Sequence, residues 1–82
     1  MKFKYVMIDS IFPVILHEAV QHKQITGNAT SAGFFMIHRG PSGKTEIACY
    51  GFSQSLGLKP DEADERILER FFKSIRDEIT NN

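Results

Sequence analysis

The sequence predicts an α+β domain in which a long C-terminal amphipathic helix packs on one face of an antiparallel sheet. Two regions have the composition of paired strands joined by tight turns, and the last third of the chain repeats apolar residues with a helical period. The expected order of elements is β-β-α-β-β-α. A chain of 82 residues holds enough apolar residues for one core, so we expect a single small domain over residues 1–82.

The N-terminal region predicts a hairpin. Residues 3–8 are rich in aromatic and β-branched side chains and begin with alternation, which is typical of a strand, and residues 9–10 supply a turn. Residues 11–16 predict the return strand. Pro13 restricts that strand to an edge of the sheet, because proline has no N–H to donate to a neighbour. The residues expected to share one face of the first strand are Phe3, Tyr5 and Met7.

The middle of the chain predicts a short helix, a loop and a second hairpin. Apolar residues at helical spacing favour a helix of about two turns within residues 17–24. Residues 27–31 are turn formers without periodicity and predict a loop. Residues 34–52 predict the central hairpin, with its turn at residues 40–44.

The turn of this hairpin also resembles a phosphate-binding loop, since it reads Gly-Pro-Ser-Gly-Lys-Thr. Such a loop requires a glycine five residues before Gly43 and a helix after the lysine. His38 occupies the glycine position, and the residues from Thr45 onward alternate as in a strand. We therefore favour the hairpin over nucleotide binding.

The C-terminal segment predicts an amphipathic helix that begins at Pro60, a residue suited to a first helical turn. Acidic residues crowd its N-terminal end and basic residues follow, which suits the helix dipole. The apolar positions that recur at helical spacing are Ala63, Ile67, Leu68, Phe71, Phe72, Ile75 and Ile79.

Composition excludes several classes of protein. Ten basic and ten acidic residues give a formal net charge of zero, which disfavours nucleic-acid binding because no overall electrostatic attraction exists. The single cysteine rules out an internal disulfide. The N-terminus lacks the apolar region of a signal peptide, and the apolar run at residues 11–16 is too short to span a membrane. We expect a cytoplasmic protein without a membrane span.

Two features suggest catalytic or metal chemistry only at first sight. His22 lies five positions after His17, whereas the two histidines of the His-Glu-x-x-His zinc motif are four positions apart. On a helix, His17 and His22 would therefore not converge on one metal. Cys49 lies in a predicted strand with no cation placed beside it, and we interpret it as a buried structural cysteine. No metal or cofactor is expected.

The candidate interaction surface lies in the connection at residues 51–60 and on the last helix. Serine hydroxyls and glycine N–H groups in the connection suit a peptide or protein contact, although a purely structural connection has the same composition. A basic stripe on the helix suits an acidic partner, or else it is a solvated face. The candidate residues are Ser53, Gln54, Ser55, Arg66, Arg70 and Lys73.

Two segments resemble a pattern in short, uncharacterised proteins of phage and prophage type. They are residues 30–35, Thr-Ser-Ala-Gly-Phe-Phe, and residues 50–58, Tyr-Gly-Phe-Ser-Gln-Ser-Leu-Gly-Leu. The resemblance implies a small cytoplasmic protein of a bacterium or phage. It implies no activity, cofactor or site residue.

The leading hypothesis is a non-catalytic protein-interaction module that binds an unidentified protein partner. A homodimer is a further possibility, either by pairing of edge strands or by packing of Phe and Tyr residues between two sheets. The alternatives are an enzyme with an unrecognised site and a nucleic-acid-associated accessory factor. The cations available to such a factor, besides the helix stripe, are Lys2, Lys4, Arg39 and Lys44.

Overall fold

Four antiparallel strands form one sheet, and a single long helix packs on it. A computed structural model describes residues 3–25 and 27–81, with side chains through residue 76. The strands lie side by side in the order β2-β1-β3-β4. The α+β class, the antiparallel sheet and the C-terminal helix were predicted correctly. In chain order the elements are β1 (Phe3–Ile8), β2 (Phe12–Leu16), β3 (Ala29–Arg39), β4 (Thr45–Tyr50) and α1 (Asp64–Asn81).

The predicted N-terminal hairpin is confirmed. Asp9 and Ser10 form its turn with φ of +53° and +63°, and the Ile11 N–H donates to the Ile8 carbonyl at 3.1 Å. Short polar side chains tolerate this left-handed conformation better than bulky ones. Pro13 lies opposite Met7 in β2, which is an edge strand, as its missing N–H requires.

The helix expected within residues 17–24 was wrong. Its only helical part is a 3₁₀ turn at His22–Gln24, preceded by Gln21 in an extended conformation with φ −79° and ψ 142°. The His22 ring is buried, and its Nε2 atom lies 3.0 Å from the Gly33 carbonyl oxygen. A segment this short is not a stable helix alone, so its tertiary contacts decide its conformation.

The β3 strand begins earlier than the sequence predicts. Residues 29–31, expected as a loop, belong to β3 and pair with the end of β1, with Ser31 opposite Met7. Their small side chains show no strand pattern. Pairing with β1 therefore overrides local preference and makes β1 and β3 the two central strands.

The central hairpin is confirmed, with β3 and β4 in register from Phe34 opposite Tyr50 to Arg39 opposite Thr45. Its turn is closed by the Gly40 N–H, which donates to the Lys44 carbonyl at 2.7 Å. A strand follows this turn where a phosphate-binding loop would open a helix.

The α1 helix begins at Asp64, four residues later than predicted from Pro60. Pro60 instead packs on β3, so close to Gly33 that a Cβ there would lie 2.9 Å from the proline Cγ. The Asp61 carboxylate accepts the Ala63 N–H, and the Asp64 carboxylate accepts the Asp61 N–H, each at 2.9 Å. The Asp64 N–H in turn donates to the Asp61 backbone carbonyl at 3.0 Å. These bonds use N–H groups that a helix start leaves without an intrahelical partner, and they hold the turn that leads into α1.

The sheet has a buried cluster on each face. The helix face, against which α1 packs, confirms that Phe3, Tyr5 and Met7 share one side of β1. The opposite face is covered by Leu56 and Leu58 from the connection between β4 and α1. The buried residues of the helix face are Tyr5, Met7, Phe35, Ile47 and Leu68, and those of the opposite face are Val6, Leu16 and Ala32.

Only part of the predicted apolar stripe of α1 is buried. Leu68 is fully buried, whereas Phe71 and Phe72 are half-buried and Ile75 is 38% exposed. The helix thus continues past the core along the β3–β4 hairpin. Within the described residues, no helix combines the length and apolar character needed to cross a membrane.

Candidate functional site

A groove of about 630 Å³ lies between the end of the β3–β4 hairpin and the second half of α1. Its floor is apolar and is formed by Ile37, Ile47 and Phe72. We call this feature the basic groove, because cations surround the floor. Those cations are Arg39, Lys44, Lys73 and Arg76.

Strand register builds the floor of the basic groove. Ile37 of β3 lies directly opposite Ile47 of β4, so the two side chains are neighbours on the helix face. Phe72 of α1 closes the floor, with its ring 5.9 Å from the ring of Phe35. Ile37 is still 41% exposed, which leaves apolar surface open to a ligand.

The cations of the groove come from both elements. Arg39 and Lys44 flank the hairpin turn, and Lys73 and Arg76 lie three residues apart on one side of α1. Among the described residues that line the groove, Glu69 is the one carboxylate. The described lining of the groove therefore carries four cations and one carboxylate, a balance that favours an anionic ligand.

The structure divides the candidate residues named from the sequence. Lys73 lines the basic groove, whereas Arg66 and Arg70 are exposed on α1 and do not line it. Lys44 and Arg39, which were named for the nucleic-acid alternative, also belong to the groove, and Lys2 lies outside the described residues.

Ser53, Gln54 and Ser55 lie away from the basic groove, in a shallow depression that also contains Lys4 and Phe52. Ser53 is buried, and its hydroxyl accepts the Leu56 N–H at 3.3 Å, so this side chain stabilises the connection. Gln54 and Ser55 are exposed. The Lys4 ammonium group donates to the Val20 carbonyl at 3.1 Å. The six candidates therefore do not form one surface.

A buried hydrogen-bond network lies at the other end of α1. The Asp64 carboxylate accepts the Tyr5 hydroxyl at 2.5 Å and the Ser31 hydroxyl at 2.9 Å, and it is 1% exposed. Burial, followed by the hydrogen bond to Asp64, raises the pKa of Tyr5 far above its usual value. All three side chains serve to join α1 to the sheet.

Cys49 borders this network on β4. Burial raises the pKa of the Cys49 thiol to about 11, and the nearby Glu65 carboxylate adds to the effect. The thiol is therefore protonated at neutral pH, in contrast to the low-pKa thiolate of reactive cysteines. Cys49 is half-buried rather than buried as predicted, and its raised pKa supports a structural role.

The two histidines considered for metal binding are separated in the structure. His17 is exposed, with its Nδ1 atom accepting the Ala19 N–H at 3.0 Å, whereas His22 is buried against Gly33. No cluster of three metal-ligating side chains occurs among the described residues.

Sequence reasoning missed the residues that make the groove a site. Each of these residues follows a sequence pattern that could have pointed to it. Strand alternation places Ile37 on the same face as Ile47. Helical spacing places Arg76 beside Lys73 and includes Phe72 in the apolar stripe. The orientation of α1 relative to the hairpin cannot be predicted from these patterns. That orientation brings the two sets together.

Comparison of the chain with protein-family models, with curated proteins and with solved structures gave no match. A function for this chain is therefore inferred from its own residues and their geometry.

Proposed function

We propose that this protein is a small, cytoplasmic, non-catalytic interaction module whose basic groove binds an acidic segment of a protein partner. The observation that carries the proposal is an apolar floor surrounded by four cations in a chain of zero net charge. Such a groove fits a segment in which apolar side chains are flanked by Asp or Glu. The apolar side chains bury against Ile37 and Phe72, and the carboxylates approach the surrounding cations.

The composition of the floor favours protein over nucleic acid. Proteins that bind single strands offer several aromatic rings on which bases stack, and this floor has one ring, Phe72, beside two isoleucines. An aliphatic floor instead complements Leu, Ile or Phe side chains.

The size of the groove suits a short anchor. Its volume of about 630 Å³ is comparable to that of small-ligand pockets. A space of this volume holds a few residues of an extended segment, of which one or two apolar side chains reach the floor. We expect binding to be moderate and to depend on salt, since the charged groups remain near solvent.

A labelled peptide tests the proposal. A peptide that alternates Leu or Phe with Glu should bind by fluorescence anisotropy, and Lys73→Glu should weaken binding about tenfold or more, because it replaces attraction with repulsion. Arg70→Glu is the matched control. It makes the same charge change on the same helix, but outside the groove, so its affinity should stay within about twofold of wild type.

Two results would contradict the proposal. One is equal weakening by Lys73→Glu and Arg70→Glu, which would mean that net charge alone drives binding. The other is tighter binding of a single-stranded oligonucleotide than of the peptide, with a steep loss of affinity as salt rises, which would favour the nucleic-acid alternative.

A further inference from the structure

The turn between β1 and β2 projects two large apolar side chains into solvent. Ile11 is 59% exposed and Phe12 is 58% exposed, the highest values among the exposed large hydrophobic residues described. Asp9, also exposed, precedes them in the same turn. We call residues 9–12 the acidic tip, because they combine an acid with two unburied apolar side chains.

Further acidic residues lie beside the acidic tip. A small cavity of about 90 Å³ is lined by Ser10 from the tip and by Asp61 from the segment that precedes α1. The Ser10 N–H donates to the Thr30 hydroxyl at 2.9 Å, which fixes the tip against β3. Asp61 is exposed beside the tip, and the next residue in the chain, Glu62, is also exposed.

The acidic tip has the composition that the basic groove is proposed to bind. We propose that the groove of one copy of this chain receives the acidic tip of a second copy, with Ile11 and Phe12 on the apolar floor and Asp9 near the cations. This inference rests on the proposed function of the groove, and it names the partner. Charge complementarity and the exposed apolar pair of the tip select this occupant.

The two surfaces lie at opposite ends of the molecule. The tip adjoins the start of β3, where Ile8 pairs with Ala29, and the groove adjoins its end at Arg39. Eleven residues of strand span about 33 Å, close to the longest dimension of the molecule, 35 Å. A chain cannot fill its own groove with its own tip.

Contact between two different surfaces produces a head-to-tail arrangement. Each added copy leaves a free tip at one end and a free groove at the other, so the assembly is open-ended unless it closes into a ring. The tip is small, and interfaces of this size are weak and transient. We therefore expect assembly only at high protein concentration and low salt.

Sedimentation of two complementary variants tests this arrangement. Ile11→Lys disables the tip and leaves the groove, and Lys73→Glu disables the groove and leaves the tip. Wild type should rise above its monomer mass of 9.3 kDa as concentration increases, and each variant alone should remain monomeric. An equimolar mixture should form a 1:1 complex of twice the monomer mass, because one working tip and one working groove remain. Arg70→Glu should assemble like wild type.

Other outcomes would overturn the inference. If wild type stays monomeric at millimolar concentration while the acidic peptide still binds the groove, the second copy is not the partner and the proposed function stands. If the peptide also fails to bind, both proposals fall. If either single variant still assembles, the copies associate through another surface, such as the edge strands.

Discussion

Asp64 is the residue on which the junction between helix and sheet depends. Its carboxylate accepts hydrogen bonds from Tyr5 on β1, from Ser31 on β3 and from the N–H of Asp61. A buried carboxylate is tolerated only when its oxygens are satisfied in this way. In the sequence it is one of four acids near a helix start, and nothing local marks it as the buried one.

The network predicts a difference between the two tyrosines. Tyr5→Phe should lower the free energy of unfolding by about 1–3 kcal/mol, because it removes a hydrogen bond to a buried charged group. Tyr50→Phe is the matched control, since that ring stacks on Phe34 and its hydroxyl has no hydrogen bond to a described residue. Urea unfolding of both variants measures the difference. Equal losses of unfolding free energy would mean that the hydrogen bond from Tyr5 to Asp64 adds no measurable stability.

At the scale of the element, α1 uses its apolar stripe unevenly. Leu68 is fully buried in the helix-face cluster, and Phe72 packs against that cluster beside Phe35. Phe71 is half-buried and contacts the ring of Phe72, whereas Ile75 is more exposed. Helical spacing in the sequence predicts similar burial for all four residues. The orientation of α1 on the sheet buries them to different extents.

Alanine substitutions along α1 should follow burial. Leu68→Ala should cost about 2–5 kcal/mol of unfolding free energy and Phe72→Ala about 3 kcal/mol, because both remove core contacts. Phe71→Ala should cost less than Phe72→Ala, and Ile75→Ala should be close to neutral. Thermal unfolding checks the order. A larger loss of stability for Phe71→Ala than for Phe72→Ala would contradict the orientation of α1 in which Phe72 faces the sheet.

At the scale of the whole molecule, stability should fall in alkaline solution. The pKa of Cys49 is raised to about 11, and that of Tyr5 is raised further, so both groups ionise more readily in the unfolded chain. A raised folded-state pKa contributes stability that is complete below the unfolded value and is lost as pH increases. The loss should begin near pH 8.5 through Cys49 and steepen above about pH 10 through Tyr5.

The urea midpoint between pH 7.5 and pH 10.5 measures this loss. Cys49→Ala should remove most of the change between about pH 8.5 and 10, the range in which the unfolded thiol ionises and the tyrosine does not. A Cys49→Ala profile parallel to that of wild type would show that the thiol is not the group responsible.

The sequence predicts those parts of the molecule that depend on neighbouring residues. Strand alternation predicts β1 and the β3–β4 hairpin, Pro13 predicts an edge strand, and helical spacing predicts α1. Pairing between β1 and the start of β3 escapes prediction, because residues 29–31 have no strand pattern and are held by a partner far away in the chain. The short helix at residues 17–24 was wrong for the same reason.

The basic groove was predictable only in fragments. Lys73 belonged to the proposed helix stripe, and Arg39 and Lys44 were available cations, but the floor joins Ile37 of a strand to Phe72 of a helix. Such a pair has no sequence periodicity in common. Only the packing of α1 along the hairpin places both residues in one groove.

The hydrogen bond from Tyr5 to Asp64 also has a consequence for the order of folding during synthesis. It joins residues 59 positions apart, so a ribosome must release almost the whole domain before the bond can form. Until then the nascent sheet exposes Tyr5, Met7 and Phe35 on the face that α1 will cover. Emergence of α1 through Leu68 from the ribosome is therefore required before this face of the sheet can be covered.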